Sequence, residues 1–364
     1  MNIQNMTPYK AAWTLGFERD GRELVIVMVK ATFQIPEDSG EPQLAPKQVD
    51  LTEADISSGE PGFSAIVYES DYAHRKPFCD ILLNGSAYVP GGGTAKEIGV
   101  GLRVGRMEKI LTVVGDRHWE SGLFLGASSP KPFSVMPLSY DRAFGGFDNS
   151  DSRLLRVYTQ NPAGKGYGYH MRNLNGRPLP NTEKPGQRVT HPAGSYRPMA
   201  FGPIGRAWEP RCKFAGTYTK KWIETRAPFW PDDFDFRHFQ AAPPDQQVPY
   251  LQGGEEIVLV NLTPEGITRF CLPVIPMPVM FIPHQGKDHN VQAVIDTLLL
   301  EPDLKRFSIT WRASMAMKRS MFDIKEIITG QMPPAWYRAR RFPGKTYYKN
   351  LDELIKARKK RGSA

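Results

Sequence analysis

The chain has 364 residues, 40% of them hydrophobic, which is enough to bury a core in one large or two ordinary domains. Its 33 glycines and 32 prolines indicate many turns and short strands rather than long helices. No apolar run approaches the roughly 20 residues that a membrane-spanning helix needs, and residues 1–10 lack the basic and apolar regions of a signal peptide. We therefore expect a cytoplasmic protein.

The formal net charge of +9 is distributed unevenly. Residues 301–364 carry 16 Lys and Arg against 6 Asp and Glu, whereas the first 300 residues carry 31 against 32. This distribution argues against a nucleic-acid-binding body. A basic tail can bind an acidic partner or a nucleic acid, although it is more often a solvated helix face. Nucleic-acid binding through the tail is one alternative function.

The N-terminal part of the chain predicts β-strands. Residues 23–33 are a continuous apolar run rich in Val and Ile, and residues 80–89 form a second apolar run. Residues 98–104 and 109–115 flank Gly105-Arg106, a pair typical of a tight hairpin turn. These patterns predict a largely antiparallel sheet before residue 120.

The middle of the chain, residues 122–247, is rich in turns and aromatic residues, and we expect long irregular insertions there. Its central stretch, residues 139–148, combines an Asp-Arg pair, a double glycine and three aromatic residues. This composition favours a sharp turn held by side-chain hydrogen bonds to the backbone. A partner contact is the alternative to this structural role. The residues of this structural motif are Tyr140, Asp141, Arg142, Phe144, Gly145 and Gly146.

Residues 230–239 interleave aromatic side chains with Asp232, Asp233 and Asp235. An enzyme of unknown substrate acting through this stretch is a second alternative function. The three acids lack the spacing and the glycine of a calcium loop. We therefore favour a long loop attached to the core by its aromatics.

The C-terminal part returns to β-structure, with apolar runs at residues 256–262, 268–272, 279–282, 291–300 and 307–317. A basic helix follows, with Asn350 or Asp352 as its cap. The predicted fold class is mainly β, with sandwich- or barrel-like antiparallel sheets, long irregular insertions and a short C-terminal basic helix. We predict one domain over residues 1–316, built as one body or as two packed halves (1–120 and 121–316), and a basic extension over residues 317–364.

No catalytic or cofactor motif is present in the sequence. Nucleophile elbows, zinc-protease motifs, phosphate-binding loops and Cys-x-x-Cys pairs are absent, and Cys79, Cys212 and Cys271 are expected to be reduced thiols. His284 and His289 lie close together, but a zinc site would need further ligands from elsewhere. We predict no catalytic residue, no metal and no cofactor.

Several groups of residues, spread over roughly residues 6–316, carry a resemblance to a known family. The groups are residues 68–71 with 76–77, 115–117 with Trp119, 139–146, 161–162 with Gly164 and Gly166, 201–204 with Arg206, Trp208 and Arg211, 216–218 with Trp222, 231–235, 241–246 with Gly253 and Glu255, and 311–312. In this order they resemble a bacterial domain-of-unknown-function family found beside type VI secretion effectors.

The resemblance implies a chaperone or adaptor rather than an enzyme. Members of that family are understood to bind an effector toxin, often next to a PAAR-type domain, and to help load it onto the VgrG spike. The implied partners are an effector toxin encoded nearby and the PAAR and VgrG spike proteins, without membrane binding. The resemblance supplies no catalytic residues.

Such a chaperone needs aromatic contacts, since they bind a partner at low entropic cost, and edge strands to which a client strand could pair. An equal alternative is that the aromatics attach loops to the core. The candidate partner-binding residues are Tyr167, Tyr169, Trp208, Trp230 and Phe236.

Overall fold

The computed structural model describes residues 2–37, 40–121, 125–150, 154–169, 173–318, 320–342, 345–348 and 351–362. In these residues the strands, numbered in chain order, form three larger sheets and five two-stranded pairs. None of the sheets they form closes on itself. The predicted mainly β fold, with several antiparallel sheets, is confirmed.

The largest sheet has six strands and joins the two ends of the chain. In spatial order its strands are β18 (Gln247–Val248), β6 (Cys79–Leu83), β23 (Val294–Glu301), β24 (Arg306–Ala316), β3 (Glu23–Gln34) and β2 (Lys10–Phe17). Only the β6–β23 pair is parallel among them. Because β3 pairs with β24, strands from the N-terminal and C-terminal blocks share one sheet.

The second sheet is antiparallel and has five strands. In spatial order they are β17 (Thr182–Glu183), β9 (Met107–Val114), β8 (Glu97–Val104), β19 (Glu256–Val260) and β20 (Ile267–Cys271). The β8–β9 hairpin turns at Gly105 and Arg106, as predicted.

A four-stranded sheet and the short pairs complete the β-structure. The four-stranded sheet is β1 (Asn2–Asn5), β25 (Ile324–Thr329), β21 (Pro278–Pro283) and β22 (His289–Gln292). The pairs are β4 (Ile56–Ser57) with β5 (Ile66–Tyr68), β7 (Gly85–Tyr88) with β12 (Val135–Leu138), β10 (Trp119–Ser121) with β11 (Leu125–Ala127), β13 (Phe144–Gly145) with β16 (Lys165–Gly166), and β14 (Phe147–Asp148) with β15 (Arg156–Val157).

The six- and five-stranded sheets face each other across a shared apolar core. Alternate side chains of β3 and β24 point into this core, as the two-residue period of a strand requires. Phe307 of β24 lies at its centre, because its ring stacks on Phe33 of the same sheet (5.3 Å) and on Phe270 of the opposite sheet (5.2 Å). The arrangement is a sandwich.

The opposite face of the six-stranded sheet is buried, and it carries charged and polar side chains beside an apolar cluster that includes Leu24, Ile26 and Met28. Lys30, Thr310 and Arg312 lie on this face, and each is at least nine-tenths buried. Segments between residues 47 and 78 and between 201 and 246 cover it, through contacts such as Asp71 with Lys30 and Gln240 with Asp80. The irregular insertions are therefore a third layer over one sheet.

Two details differ from the sequence-based expectation. The apolar run at residues 80–89 divides at Asn84 into β6 and β7, which belong to different sheets. The Asn84 side chain donates to the carbonyl of Val67 (2.7 Å), and its backbone N–H donates to that of Leu300. Asn84 thus ends one strand where the apolar pattern continues.

The described helices are α1 (Lys220–Thr225), α2 (Pro334–Arg341) and α3 (Leu351–Gly362). The predicted C-terminal basic helix corresponds to α3, and the proposed cap Asn350 lies outside the described residues. We did not expect α2, although Pro334 at its first turn is a common helix start. Trp336 of α2 packs against Met280 and Ile328 of the four-stranded sheet. Across the described residues, no helix combines the length and apolarity that crossing a membrane requires.

The position of Phe307 predicts a large effect on stability. Phe307→Ala would remove a ring that touches both sheets, so we expect the free energy of unfolding to fall by about 3–5 kcal/mol. Chemical denaturation of both forms measures this loss. Phe322→Ala is the matched control, because Phe322 is 77% exposed; it should change stability by less than about 0.5 kcal/mol. Equal effects of the two substitutions would contradict the sandwich arrangement.

Candidate functional site

The stretch at residues 139–148 is a tight turn held by Asn161. The Asn161 side-chain amide donates to the carbonyls of Tyr140 (2.8 Å) and Phe144 (3.1 Å), and its own carbonyl accepts from the N–H of Gly146 (2.8 Å). Asn161 is fully buried. The structure thus contains the predicted side-chain hydrogen bonds to backbone.

The double glycine is required by close backbone approach. Gly145 and Gly146 have φ angles of 150° and 104°. A Cβ atom on Gly145 would lie 2.1 Å from the carbonyl oxygen of Asn161, and one on Gly146 would lie 2.6 Å from that of Gly164. Any side chain here would force the turn and the 161–164 segment apart.

The charged pair of the turn connects distant segments. Asp141 accepts hydrogen bonds from the Ser58 hydroxyl (2.6 Å) and the Ala65 N–H (2.8 Å). Arg142 donates through Nη1 to the Asn181 side chain (3.1 Å), and its carbonyl accepts from the Asn181 N–H (2.8 Å). Asp141 therefore binds residues of the N-terminal part, and Arg142 binds residues of the central insertion.

The aromatic residues anchor the turn in two small clusters. Tyr140 packs edge-on against Trp208, with ring centroids 5.7 Å apart. Phe144 packs against Tyr158 (5.0 Å) and Tyr196 (4.9 Å). Both Tyr140 and Phe144 are buried. These contacts support a structural role for the motif.

A cationic pocket of about 540 Å³ opens beside this turn. We call it the Lys165 pocket; the residues that matter for its chemistry are Asp116, Arg117, His118, Lys131, Arg142 and Lys165. Gly115 shapes its wall, because a Cβ there would lie 1.8 Å from the carbonyl oxygen of Lys131. The absence of this side chain lets the 131 segment lie against β9.

Lys165 lies partly buried at the centre of the hydrogen bonds in the pocket. Its Nζ donates to the Asn181 side-chain oxygen (2.7 Å), which also accepts from Arg142. Burial lowers the pKa of Lys165 to about 8, and the positive charge of Arg142 adds to this effect. Asp116 and Asp141 oppose the shift. The pocket therefore holds an excess of positive charge that its own acids do not neutralise.

A second group of charged residues lies on the covered face of the six-stranded sheet. Its close ion pairs are Lys30–Asp71 (2.8 Å), Lys76–Asp80 (2.9 Å), Arg211–Glu69 (2.7 Å) and Arg312–Asp296. Asp80 also accepts from the N–H groups of Ala241 and Ala242. Buried charges with this many partners hold covering segments in place.

A cleft of about 670 Å³ adjoins this network, lined in part by Lys30, Tyr68 and Glu301. The Tyr68 hydroxyl donates to Glu301 (2.6 Å), which also binds Arg306 (2.7 Å). Burial, together with the hydrogen bond to Glu301, raises the pKa of Tyr68 to about 12. Tyr68 is therefore a poor proton donor for chemistry near neutral pH.

The five candidate partner-binding aromatics do not form one surface. Trp208 and Phe236 are buried, and Tyr167 and Trp230 are partly buried in separate clusters. Tyr169 is 51% exposed, and the Arg156 guanidinium lies 3.7 Å from its ring centroid. A partner-binding role of the set stays a prediction, and Tyr169 is the member most open to solvent.

The acids in residues 230–239 accept hydrogen bonds from nearby residues. Asp233 accepts from the Thr217 hydroxyl (2.6 Å), Asp235 binds Arg237 (2.6 Å), and Asp232 lies 3.2 Å from Arg226. These contacts support the loop-anchoring interpretation of the stretch.

His74 was not singled out in the sequence analysis, yet it packs against aromatic residues of the 230–239 stretch. Its ring stacks on Phe239 (4.8 Å) and meets Trp230 edge-on (5.2 Å). Burial, with a contribution from Arg312, lowers the pKa of His74 to about 4. His74 is therefore neutral in the folded protein near pH 7.

The outer face of the five-stranded sheet carries an uncovered apolar row. Ile110, Gly101, Val260 and Ile267 lie directly opposite one another across β9, β8, β19 and β20. Ile110 is 48% exposed and Ile267 is 58% exposed. A groove of about 490 Å³ runs over Gly99, Gly101, Val258 and Val260. We call this surface the Ile110 face.

The Ile110 face was missed in the sequence analysis, although a signal existed. Gly99 and Gly101 alternate with Val100 and Leu102 in a predicted strand, and glycine is unfavourable there. The Lys165 pocket had no such signal, because its cations come from segments far apart in the chain. Within the described ranges, no group of three or more His, Cys, Asp or Glu side chains could hold a metal ion.

The fold and these sites define a mainly β protein with a sheet sandwich, a covered polar face and an exposed apolar face. Residues 20–312 match the family described as an uncharacterized protein conserved in bacteria, DUF2169. The chain belongs to this bacterial family. That description mentions neither an activity nor secretion, so a link to type VI secretion is a matter for proposal. No curated protein and no solved structure matches the chain.

The geometry of the double glycine predicts that Gly145→Ala is strongly destabilising. The new Cβ would clash with the Asn161 carbonyl, and we expect a loss of about 3 kcal/mol or more in unfolding free energy. Thermal or chemical unfolding measures it. Gly126→Ala is the control, because nothing lies within 4 Å of a Cβ at that position; it should change stability by less than about 1 kcal/mol. A stable Gly145→Ala protein would contradict the described turn.

The low pKa of His74 predicts a specific loss of stability in acid. The unfolded chain takes up a proton on His74 near pH 6.5, whereas the folded protein does so only near pH 4. Stability present above pH 6.5 is therefore lost as the pH falls, by about 2 kcal/mol at pH 5. Unfolding of wild type and His74→Phe at pH 7.5 and pH 5 measures this difference, and the variant should lack it. The same acid loss in both proteins would show that other groups cause it.

Proposed function

We propose that the protein is a cytoplasmic chaperone or adaptor that binds a type VI secretion effector and helps to load it onto the PAAR and VgrG spike. The observation that carries the binding part of this proposal is the exposed Ile110 face. The resemblance of the motif residues to a family found beside such effectors supports the choice of partner.

The Ile110 face has the composition of a protein-binding surface. Its centre is apolar, and Arg103, Glu108 and Arg269 lie in the next row, opposite Val258 or one another. An apolar centre with a charged border is the usual arrangement in protein interfaces. The lack of side chains at Gly99 and Gly101 leaves a groove into which a partner side chain can insert.

An edge strand borders the same face. β20 pairs with β19 on one side, and in the described part of the chain no strand pairs with its other side. Ile267 of β20 is exposed on the Ile110 face. A client segment can therefore extend the sheet at β20 through backbone hydrogen bonds and place its side chains against the apolar row.

The residues that carry the family resemblance stabilise the fold rather than form the Ile110 face. Asp71, Lys76, Arg211 and Arg312 hold the layer over the six-stranded sheet, and residues 139–146 hold the central insertion. Such residues stabilise a rigid body, which presents the Ile110 face for binding. We assign no catalytic role to any of them.

Charge placed on the Ile110 face should abolish effector binding. The test co-expresses the chain with the effector encoded beside its gene, followed by affinity purification and size exclusion. We expect a stable complex for wild type, and loss of the complex for Ile110→Asp and Ile267→Asp, because a buried unpaired carboxylate is costly. Ile223→Asp in α1 is the matched control, since Ile223 is 64% exposed and lies outside the face.

Two results would contradict the proposal. One is an effector that is soluble alone and never co-elutes with the wild-type protein. The other is a complex that survives both substitutions on the Ile110 face. Circular dichroism of each variant confirms that loss of binding does not reflect unfolding.

A further inference from the structure

We propose that the Lys165 pocket binds a doubly charged oxyanion of the phosphate type. This site is separate from the Ile110 face and does not depend on the proposed effector. Its assignment follows from the charges, the unused hydrogen-bond donors and the shape of the pocket.

The charges of the pocket favour an anion. Lys131, Arg142 and Lys165 face a single acid of the pocket, Asp116, which lies 3.8 Å from Arg142. The fourth cation, Arg117, is neutralised by the buried Glu183 at 2.7 Å. The other residues that line the pocket therefore carry a surplus of two positive charges, which Asp141 in the adjacent turn partly offsets at Lys165. This surplus favours a phosphoryl dianion.

Donors of the pocket lack acceptors. The Lys165 ammonium carries three N–H donors, and its hydrogen bond to Asn181 uses one of them. Arg117 is almost fully buried, and its Nη2 donates to Glu183 (2.7 Å) and to the carbonyl of Pro180 (2.9 Å), so it is already engaged. Lys131 is exposed and forms no ion pair within the described ranges. Lys131 and Lys165 both line the pocket, and an oxyanion there would accept charge-assisted hydrogen bonds from their free donors.

The space beside the pocket indicates two possible sources of the anion. A smaller apolar slot, lined by Phe63, Phe147 and Pro178, adjoins the pocket and shares Lys165 with it. A phosphoryl group attached to an apolar body would occupy both spaces, whereas free phosphate would occupy the pocket alone. Both sources present a phosphoryl group to the pocket, and the experiment distinguishes them.

The experiment is isothermal titration calorimetry of the full chain with inorganic phosphate at pH 7.5 and constant ionic strength, with chloride as the reference anion. We expect saturable one-site binding, weakened about tenfold by Lys131→Ala, since a charge-assisted hydrogen bond is lost. Lys325→Ala, an exposed lysine of β25, is the matched control and should bind like wild type. Phenyl phosphate binding more tightly than phosphate would identify a phosphoryl group on a larger ligand, and weaker or equal binding would identify free phosphate.

The pH dependence of phosphate affinity tests whether Lys165 binds the anion. Lys165 faces Arg142, Asp116 and Asp141, and it loses its charge near pH 8. Phosphate affinity should therefore fall about tenfold or more between pH 7.5 and pH 9.5, even though phosphate becomes more fully doubly charged over this range. Lys165→Arg should bind at both pH values with little change, because arginine stays charged.

Three results would overturn the proposal. They are no binding of phosphate by wild type at millimolar concentration, equal weakening by Lys131→Ala and Lys325→Ala, and an unchanged pH dependence in Lys165→Arg. Each variant is checked for an unaltered unfolding temperature, so that loss of binding is not loss of folding.

Discussion

The pleat of β3 and β24 imposes the constraint on which the rest of the structure depends. In both strands alternate side chains enter the sandwich core, while Lys30, Thr310 and Arg312 point to the opposite face. Charged side chains can be buried only with partners, because removal from water otherwise costs several kcal/mol per ion. The six-stranded sheet therefore needs a layer that supplies carboxylates and carbonyls. The Asp71 carboxylate pairs with Lys30, and the backbone carbonyls of Asp71 and Ala73 accept hydrogen bonds from Arg312.

This requirement gives the irregular part of the chain a structural purpose. The covering segments contain the short strands β4 and β5, and they direct backbone groups as well as side chains at buried charges. Asp80 shows the pattern, because two successive N–H groups, of Ala241 and Ala242, donate to its carboxylate. The turn at residues 139–148 is also held by hydrogen bonds between a side chain and the backbone. There the buried Asn161 side chain binds backbone carbonyls, and the double glycine allows the close approach. Polar contacts rather than sheet pairing therefore specify the third layer.

The strands of the sandwich could be predicted because their signals are local. The run at residues 23–33 and the Gly105-Arg106 hairpin depend on neighbouring residues and agree with β3, β8 and β9. The division at Asn84 could not be predicted, because it depends on the distant Val67 and Leu300.

The sites were predicted less well than the strands, for the same reason. Lys131, Arg142 and Lys165 are separated along the chain and meet only through folding. Trp208 and Phe236 were chosen as surface contacts because they are aromatic. They are buried, and sequence composition does not distinguish an aromatic anchor from an exposed one.

The two sheets of the sandwich reverse the usual relation between polarity and exposure. The outer face of the six-stranded sheet is buried and includes ion pairs, whereas that of the five-stranded sheet has an exposed apolar row. Buried charges cost desolvation free energy, and exposed Ile110 and Ile267 side chains contribute no hydrophobic stabilisation. The irregular insertions cover the first of these faces, whereas Ile110 and Ile267 of the second are exposed. Large exposed apolar surfaces often mark interaction sites, and the open Ile110 face therefore supports the proposed binding function.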